Sequence, residues 1–303
     1  VWITSSPSTA ITPTTVALGN FDGLHLGHRQ VILPVLNQDS AYPTVVTFSP
    51  HPREFFTGQQ LSLLTPQDEK ALLLESFGIA QLVSLPFNRE LADLSPAQFV
   101  EEILVQHLQA QSISVGEDFR FGYKRLGTAD DLKAIAATHG ISASIVPLLI
   151  FQGKRISSSS IREALLTGDV SMANRMLGRS YRLMGQVMQG QQLGRTIGFP
   201  TANLQVPDDK LIPRQGVYGV RVQGFDRSIL GVMNIGNRPT VNGTHQTIEV
   251  HLLDWTGDLY GKTLTVELEE FIRPEQKFAS LDDLKAQISA DCETARTMLA
   301  AIS

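Results

Sequence analysis

The chain has 303 residues, 42% hydrophobic and 18% charged, with a formal net charge of −5 at pH 7. That fits a globular protein with real cores, at a length that points to two domains. No apolar run approaches the ~18 residues of a membrane-spanning helix, the start VWITSSPSTAITPTT lacks the regions of a signal peptide, and the lone cysteine, Cys292, fits a reducing, cytoplasmic setting. Residues 1–180 hold 13 Lys+Arg against 16 Asp+Glu and the remainder 12 against 14, so neither half shows the basic footprint of a nucleic-acid binder.

The first predicted strand is TTVAL (14–18). It runs through the turn GNFDG into a helix over LHLGHRQVILPVL (24–36), which carries His25 and His28. Two imidazoles three residues apart project from one side of a helix start, where free amides and a partial positive charge favour anions. Gly27 leaves room there for a phosphate to approach the backbone. Catalysis at such a place rests on positioning and charge stabilisation, with no covalent intermediate.

Further along come the strand TVVTF (44–48), with TFSPHPREFF (47–56) bringing His51, Arg53, Phe55 and Phe56, and a helix TPQDEKALLLESF (65–77) with Thr65 as N-cap and Pro66 at its first position. The strand QLVSL (81–85) and the helix SPAQFVEEILVQHL (95–108) follow, then the strand SISV (112–115), the loop GEDFRFGYKRLGTADDL (116–132) and the strand ASIVPL (143–148). Strands alternating with helices argue for a parallel sheet covered on both faces, with ligands at the carboxyl ends of its strands. Aromatic and basic groups of the loop (Asp118, Phe119, Phe121, Arg125) suit a flat ring bearing a phosphate. In RISSSSIREAL (155–165), Ser157 to Ser160 and Arg162 offer hydroxyls, amides and a guanidinium to phosphates.

Near LGRSYRL (177–183) the pattern changes to short runs punctuated by glycine, with no helical spacing until LDDLKAQISADCETARTML (281–299). That is the signature of a small antiparallel β-barrel closed by a terminal helix. No P-loop motif occurs. Instead GQQLGRTIGFPTANL (190–204) sets Gly190, Gly194 and Gly198 at four-residue intervals, so that amides converge on phosphates. Thr201 and Asn203 point to one side of a strand as hard ligands for Mg²⁺. In TIEVHLLDW (247–255), alternation sends Ile248, Val250 and Leu252 to one face and Thr247, Glu249 and His251 to the other. Glu249 is a candidate proton acceptor.

HLGH resembles the H-x-G-H signature of the nucleotidyltransferase superfamily. With the segments 47–56, 116–132 and 155–165, it is similar to the FMN adenylyltransferase domain of prokaryotic bifunctional riboflavin kinase/FAD synthetases. The combination GFPTANL, GVYGV, NIGNRPTV, TIEVHLLDW, GDLYGK and FIRPEQKF resembles the riboflavin kinase module of the same family. The resemblance covers nearly the whole chain and implies a Rossmann-like nucleotidyltransferase domain over 1–180 and a six-stranded Greek-key barrel with a terminal helix over 181–303. It implies that His25 and His28 carry adenylyl transfer, with Gly19, Phe21, Asp22, Gly27, Ser159 and Arg162 on ATP and its phosphates. It further implies Gly194, Gly198, Thr201 and Asn203 on Mg-ATP in the barrel, Glu249 as base, and Phe55, Asp118, Phe119, Phe121, Arg125 and Arg273 on flavin. Riboflavin, FMN, FAD, ATP and Mg²⁺ are the implied substrates, products and cofactor, with no nucleic acid or membrane partner. Two other readings are a single-activity adenylyltransferase whose barrel only binds a partner or RNA, and a non-catalytic flavin-binding or regulatory protein. GFPTANL together with Glu249 argues against the first; the presence of His25, His28 and Glu249 argues against the second.

Overall fold

A computed structural model describes residues 1–36, 41–190, 193–240 and 243–301. Gln191 and Gln192 of the glycine-rich stretch, and Val241 of NIGNRPTV, lie outside these described residues. The chain divides into two compact units, residues 1–158 and 159–303.

In the first unit the strands are β1 (Trp2–Thr4), β2 (Thr14–Leu18), β3 (Tyr42–Ser49), β4 (Gln81–Pro86), β5 (Ala110–Gly116) and β6 (Ser142–Val146), all parallel in the order β1-β4-β3-β2-β5-β6. β2 is buried along its whole length, as a parallel strand covered on both faces must be. One face packs Val16, Leu18, Val46 and Val83 against Phe99, Leu104 and Leu132; the other packs Ala17, Val45 and Leu82 against Ile32 and Leu74. The chain builds outward from β2 through β3 to β4, then crosses back to place β5 on the opposite side of β2. That reversal opens a crevice at the carboxyl ends of β2 and β5, the customary ligand position in open parallel sheets. The turn 19–24 leaves β2 there, and the loop 117–128 leaves β5.

Three elements differ from the sequence reading. The first helix, α1, is short (Leu26–Ile32), and Leu33–Val35 continues it as a 3₁₀ turn. α2 (Gln67–Ser76) has Pro66, not Thr65, as N-cap, because the Thr65 hydroxyl accepts a hydrogen bond from the distant Gly23 amide. The segment after Ser95 begins with Ser95 as N-cap, in a capping box with Gln98, and with Pro96 in its first turn, then winds as a π-helix from Phe99 to His107. The edge strand β1 carried too few residues to be expected.

The second unit opens with α3 (Ser158–Thr167, whose first residue ends unit one) and α4 (Val170–Leu177). Six antiparallel strands follow: β7 (Tyr181–Met188), β8 (Ala202–Gln205), β9 (Gly216–Gln223), β10 (Ile229–Thr240), β11 (Gly243–Leu252) and β12 (Thr263–Arg273). They close a barrel in the order β7-β8-β11-β10-β9-β12. β9, β10 and β11 form a meander and β12 returns beside β9, the Greek-key arrangement. The expected alternation is realised in β11: Ile248, Val250 and Leu252 are buried, and Glu249 and His251 lie on the outer wall. The terminal helix α5 (Leu281–Ala300) packs Cys292, Ala295 and Leu299 on Val217 and Val232 of that wall. A Cβ on Gly219 would meet Leu299 at 3.7 Å, an ordinary van der Waals contact.

Candidate active sites

In the first unit, the turn between β2 and α1 is held from every side. The Gly19 amide donates to the Val46 carbonyl at 3.1 Å. The Asn20 carbonyl accepts from Thr47 Oγ1 at 3.0 Å and from Lys70 Nζ at 3.1 Å. The Asp22 carbonyl accepts from Ser158 Oγ at 2.8 Å, and the Gly23 amide donates to Thr65 Oγ1 at 2.9 Å. Phe21 (φ +48°) and Leu24 (φ +43°) sit in the left-handed region, which bulky residues occupy only where their surroundings over-determine it. Both side chains are buried.

His25 is the N-cap of α1: its Nδ1 accepts from the His28 amide at 3.2 Å. The two imidazoles stack with centroids 3.6 Å apart and planes 15° from parallel, and Phe21 meets the His28 ring edge-on at 5.2 Å. A Cβ on Gly27 would stand 3.2 Å from the His25 ring, so the glycine makes room for the stacked imidazole. Lys70 is buried behind the turn. Desolvation pushes its pKa below the ordinary lysine value, and the charge of Asp22 opposes that shift. Beyond β3, the helix Pro52–Thr57 presents Phe55 and Phe56. These two rings and Phe87 meet edge to face at 5.2–5.8 Å, and Phe56 is 64% exposed.

In the second unit, Glu249 stands in register opposite Asn203 of β8 on one side and Asn234 of β10 on the other. Residues directly opposite in an antiparallel sheet share a face with Cβ atoms ~5 Å apart, so the three side chains form one row on the outer wall. Gly190 lies against Asn203 of this row, and Gly194 lies against Thr201 beside it. A Cβ on Gly190 would lie 2.2 Å from Asn203 Nδ2, and one on Gly194 would lie 3.4 Å from Thr201 Oγ1 and 2.3 Å from the Phe199 carbonyl. Gly198 (φ +91°) faces open space. His251 meets the Pro200 carbonyl through Nδ1 at 2.8 Å, one residue before Thr201, which itself precedes β8.

Residues 8–160 match the family described as FAD synthetase, and residues 177–299 match riboflavin kinase. The bifunctional riboflavin kinase/FMN adenylyltransferase of Pseudomonas fluorescens is 41% identical over 287 residues, covering 93% of this chain and 92% of its own. The protein of that name from Escherichia coli K12 is 41% identical over 286 residues, covering 93% and 91%. The chain belongs to the bifunctional riboflavin kinase/FMN adenylyltransferase family. A crystal structure described as a macrolide-efflux protein from Streptococcus pneumoniae superposes with a TM-score of 0.88 at 31% identity, over 97% of this chain and 98% of its own.

Several residues of this bifunctional riboflavin kinase/FMN adenylyltransferase family member sit differently from the sequence expectation. Phe121 is a core residue: it packs with Phe99 at 5.6 Å and closes against Gly127, so its ring is not offered to a flavin. Phe119 stacks on Phe121 and is packed against the same core. Arg273 clasps the buried Asp291 of α5 with contacts of 2.7–3.1 Å, which commits its guanidinium to holding that helix. The Asp22 carboxylate accepts the Leu64 and Thr65 amides at 3.2 and 3.1 Å, so it anchors the turn, and any phosphate contact falls to the backbone. Asp118 forms an ion pair with Arg155, and Arg125 (φ +59°) is exposed on the loop after β5. Ser159 and Arg162 lie in α3, in the second unit. Sequence reasoning missed Asn234, which only the register of β10 against β11 places beside Glu249, and Lys70, whose QDEK setting reads as a solvated helix start.

Proposed function

We propose that the chain phosphorylates riboflavin to FMN on the wall of the barrel and adenylylates FMN to FAD at the parallel sheet, the two reactions of its family. What carries this reading is that each family match falls on a unit holding its own constellation: the clamped turn with His25 and His28 in one, the Asn203–Glu249–Asn234 row in the other.

On the barrel, Glu249 accepts the proton of the riboflavin primary hydroxyl as that oxygen attacks the γ-phosphorus of ATP and the bond to the β-phosphate oxygen breaks, releasing ADP. Asn203 and Asn234 flank it in register on either side. Gly190 and Gly194 leave a cradle over Asn203 and Thr201 that a Cβ would fill, and a hydroxyl and an amide oxygen suit a hard cation, so Thr201 and Asn203 fit as its protein ligands. Magnesium, when bound there with ATP, neutralises charge on the phosphates.

At the sheet, a phosphate oxygen of FMN attacks the α-phosphorus of ATP, and diphosphate leaves. His28 supplies positive charge or a hydrogen bond to the α-phosphate, and His25 holds it in position by stacking and by capping α1. The Phe21 amide, which donates no hydrogen bond among the described residues, is a second donor on the same side. The rim of Phe55 and Phe56 offers apolar faces to the flavin ring. Arg125, exposed on the loop after β5, is assigned to the phosphates.

No helix among the described residues is long and apolar enough to cross a membrane, and the efflux role named for the Streptococcus protein is not extended to this chain. A cytoplasmic setting suits its lone, buried Cys292.

A time course of purified protein with riboflavin, ATP and Mg²⁺, its flavins separated by chromatography, tests both activities. FMN is expected first and FAD after it. Unchanged riboflavin, together with unchanged FMN when FMN is supplied directly, would sink the assignment.

A further inference from the structure

We infer that Lys70 is a positioning residue for adenylyl transfer, acting through the Asn20–Phe21 peptide; the inference rests on the adenylyl-transfer reading of the first unit. Lys70 lies on α2, one strand beyond the turn in sequence, and its side chain is buried. Burying an ammonium is costly, and a methionine of similar length would fill the same space without that cost. The ammonium donates to the Asn20 carbonyl, which Thr47 Oγ1 also reaches from β3, and it feels the negative charge of Asp22 in the same turn.

Asn20–Phe21 is a trans peptide, since Thr12–Pro13 and Ser49–Pro50 are the cis bonds of the described chain. In a planar trans unit the carbonyl and the next amide point in opposite directions. Two donors drawing the Asn20 carbonyl inward therefore turn the Phe21 N–H outward, and a cation on the carbonyl polarises that N–H. The Phe21 amide has no protein acceptor among the described residues, in a residue that is 1% exposed, and its ring meets His28 edge-on at 5.2 Å. Buried backbone donors are rarely left unpaired, so this one points to an acceptor brought by a ligand. A phosphate oxygen that gains charge during transfer is such an acceptor. Lys70 thus lends its charge to the reacting phosphate through one peptide, while a protonated amine at the surface of the site would be solvated. The positive φ of Phe21 is the conformational price of that orientation.

The test compares Lys70→Met, Thr47→Val and Thr47→Ser in the full-length protein, with steady-state FAD formation from FMN and ATP and riboflavin phosphorylation as the internal control. In Lys70→Met, kcat for FAD formation is expected to fall about 100-fold, as when one preorganised donor to a developing anion is lost. KM for FMN and ATP should stay within about threefold, because the contact strengthens in the transition state. Thr47→Val should lose about tenfold in kcat, and Thr47→Ser, which keeps the hydroxyl, should recover it. Riboflavin phosphorylation is expected to be unaltered throughout. If Lys70→Met is folded and kcat is unchanged, or if the loss lies wholly in KM, the inference is wrong. If Lys70→Met does not fold, the threonine pair decides: equal kcat for Val and Ser overturns it. Absence of FAD formation by the unsubstituted protein would instead remove the parent reading.

Discussion

Glu249 and His28 sit in separate units, so their substitutions should separate two activities in one polypeptide. Glu249→Gln is expected to lower riboflavin phosphorylation by about 10²–10⁴-fold, the range for loss of a general base. FAD formation from supplied FMN should persist in that variant. His28→Ala should give the mirror result, and chromatographic flavin assays on both variants read the outcome directly. Gly190→Ala puts a methyl where the Asn203 amide now lies, 2.2 Å from its nitrogen, and should disable phosphorylation while sparing FAD formation. Lys70 carries a pH signature as well. Burial lowers its pKa in the folded state, so between that value and the unfolded one of 10.5 the unfolded chain binds more protons. The corresponding stability is present above the unfolded pKa and is lost as pH falls through the folded one. Melting temperatures of the unsubstituted protein should therefore rise relative to those of Lys70→Met as alkaline pH is approached. A flat difference would show that the buried ammonium is not titrating. His25, His28 and Glu249 were legible as residues because histidine pairs and carboxylates advertise chemistry. Lys70 and Asn234 were not, because their meaning comes from what a distant strand or helix places beside them.

Among the elements, the strands were read best. β2, β4 and β11 follow continuous or alternating apolar runs, which a buried parallel strand or a barrel wall imposes on the sequence. Helix starts were read less well: the Thr65 hydroxyl suits an N-cap, but the tertiary fold uses it on Gly23. Arg273 shows the same limit. In FIRPEQKF it sits beside motif residues, yet the helix α5 supplies Asp291 to receive it, and no local pattern links positions so far apart. Breaking a buried ion pair by removing one partner leaves an uncompensated charge. Arg273→Met should accordingly destabilise the barrel by about 3–5 kcal/mol in urea denaturation. The double substitution Arg273→Met/Asp291→Leu should recover much of it. A loss below ~1 kcal/mol in the single variant would show that the pair is solvated.

At the scale of the molecule, the change from alternating helices and strands to glycine-punctuated short strands was visible near residue 181, where β7 begins. The compact units divide earlier, after Ser158. The reason is that α4 is tied to the barrel: the Asn174 side chain donates to the Leu268 carbonyl at 2.8 Å and accepts from the Tyr181 amide at 2.7 Å. A helix that serves as a barrel's support reads in sequence as one more helix of the preceding domain. A fragment of residues 159–303 is expected to fold and phosphorylate riboflavin, whereas one starting at 181 should melt lower for want of those bonds. Calorimetry of the two fragments distinguishes the boundaries, and equal melting temperatures would favour the later one.

The hydrogen bond from Ser158 to the Asp22 carbonyl has a bearing on how the protein is made. A ribosome releases the two histidines early, but the turn behind them gains Thr47 with the third strand, Thr65 just before α2, Lys70 within α2, and Ser158 only with the last residue of the unit. The adenylylation site is thus among the last parts of its unit to be finished, although its signature is among the first to be translated. A stalled or clipped product ending before Ser158 would carry every histidine of the motif and still lack the contact that closes the turn.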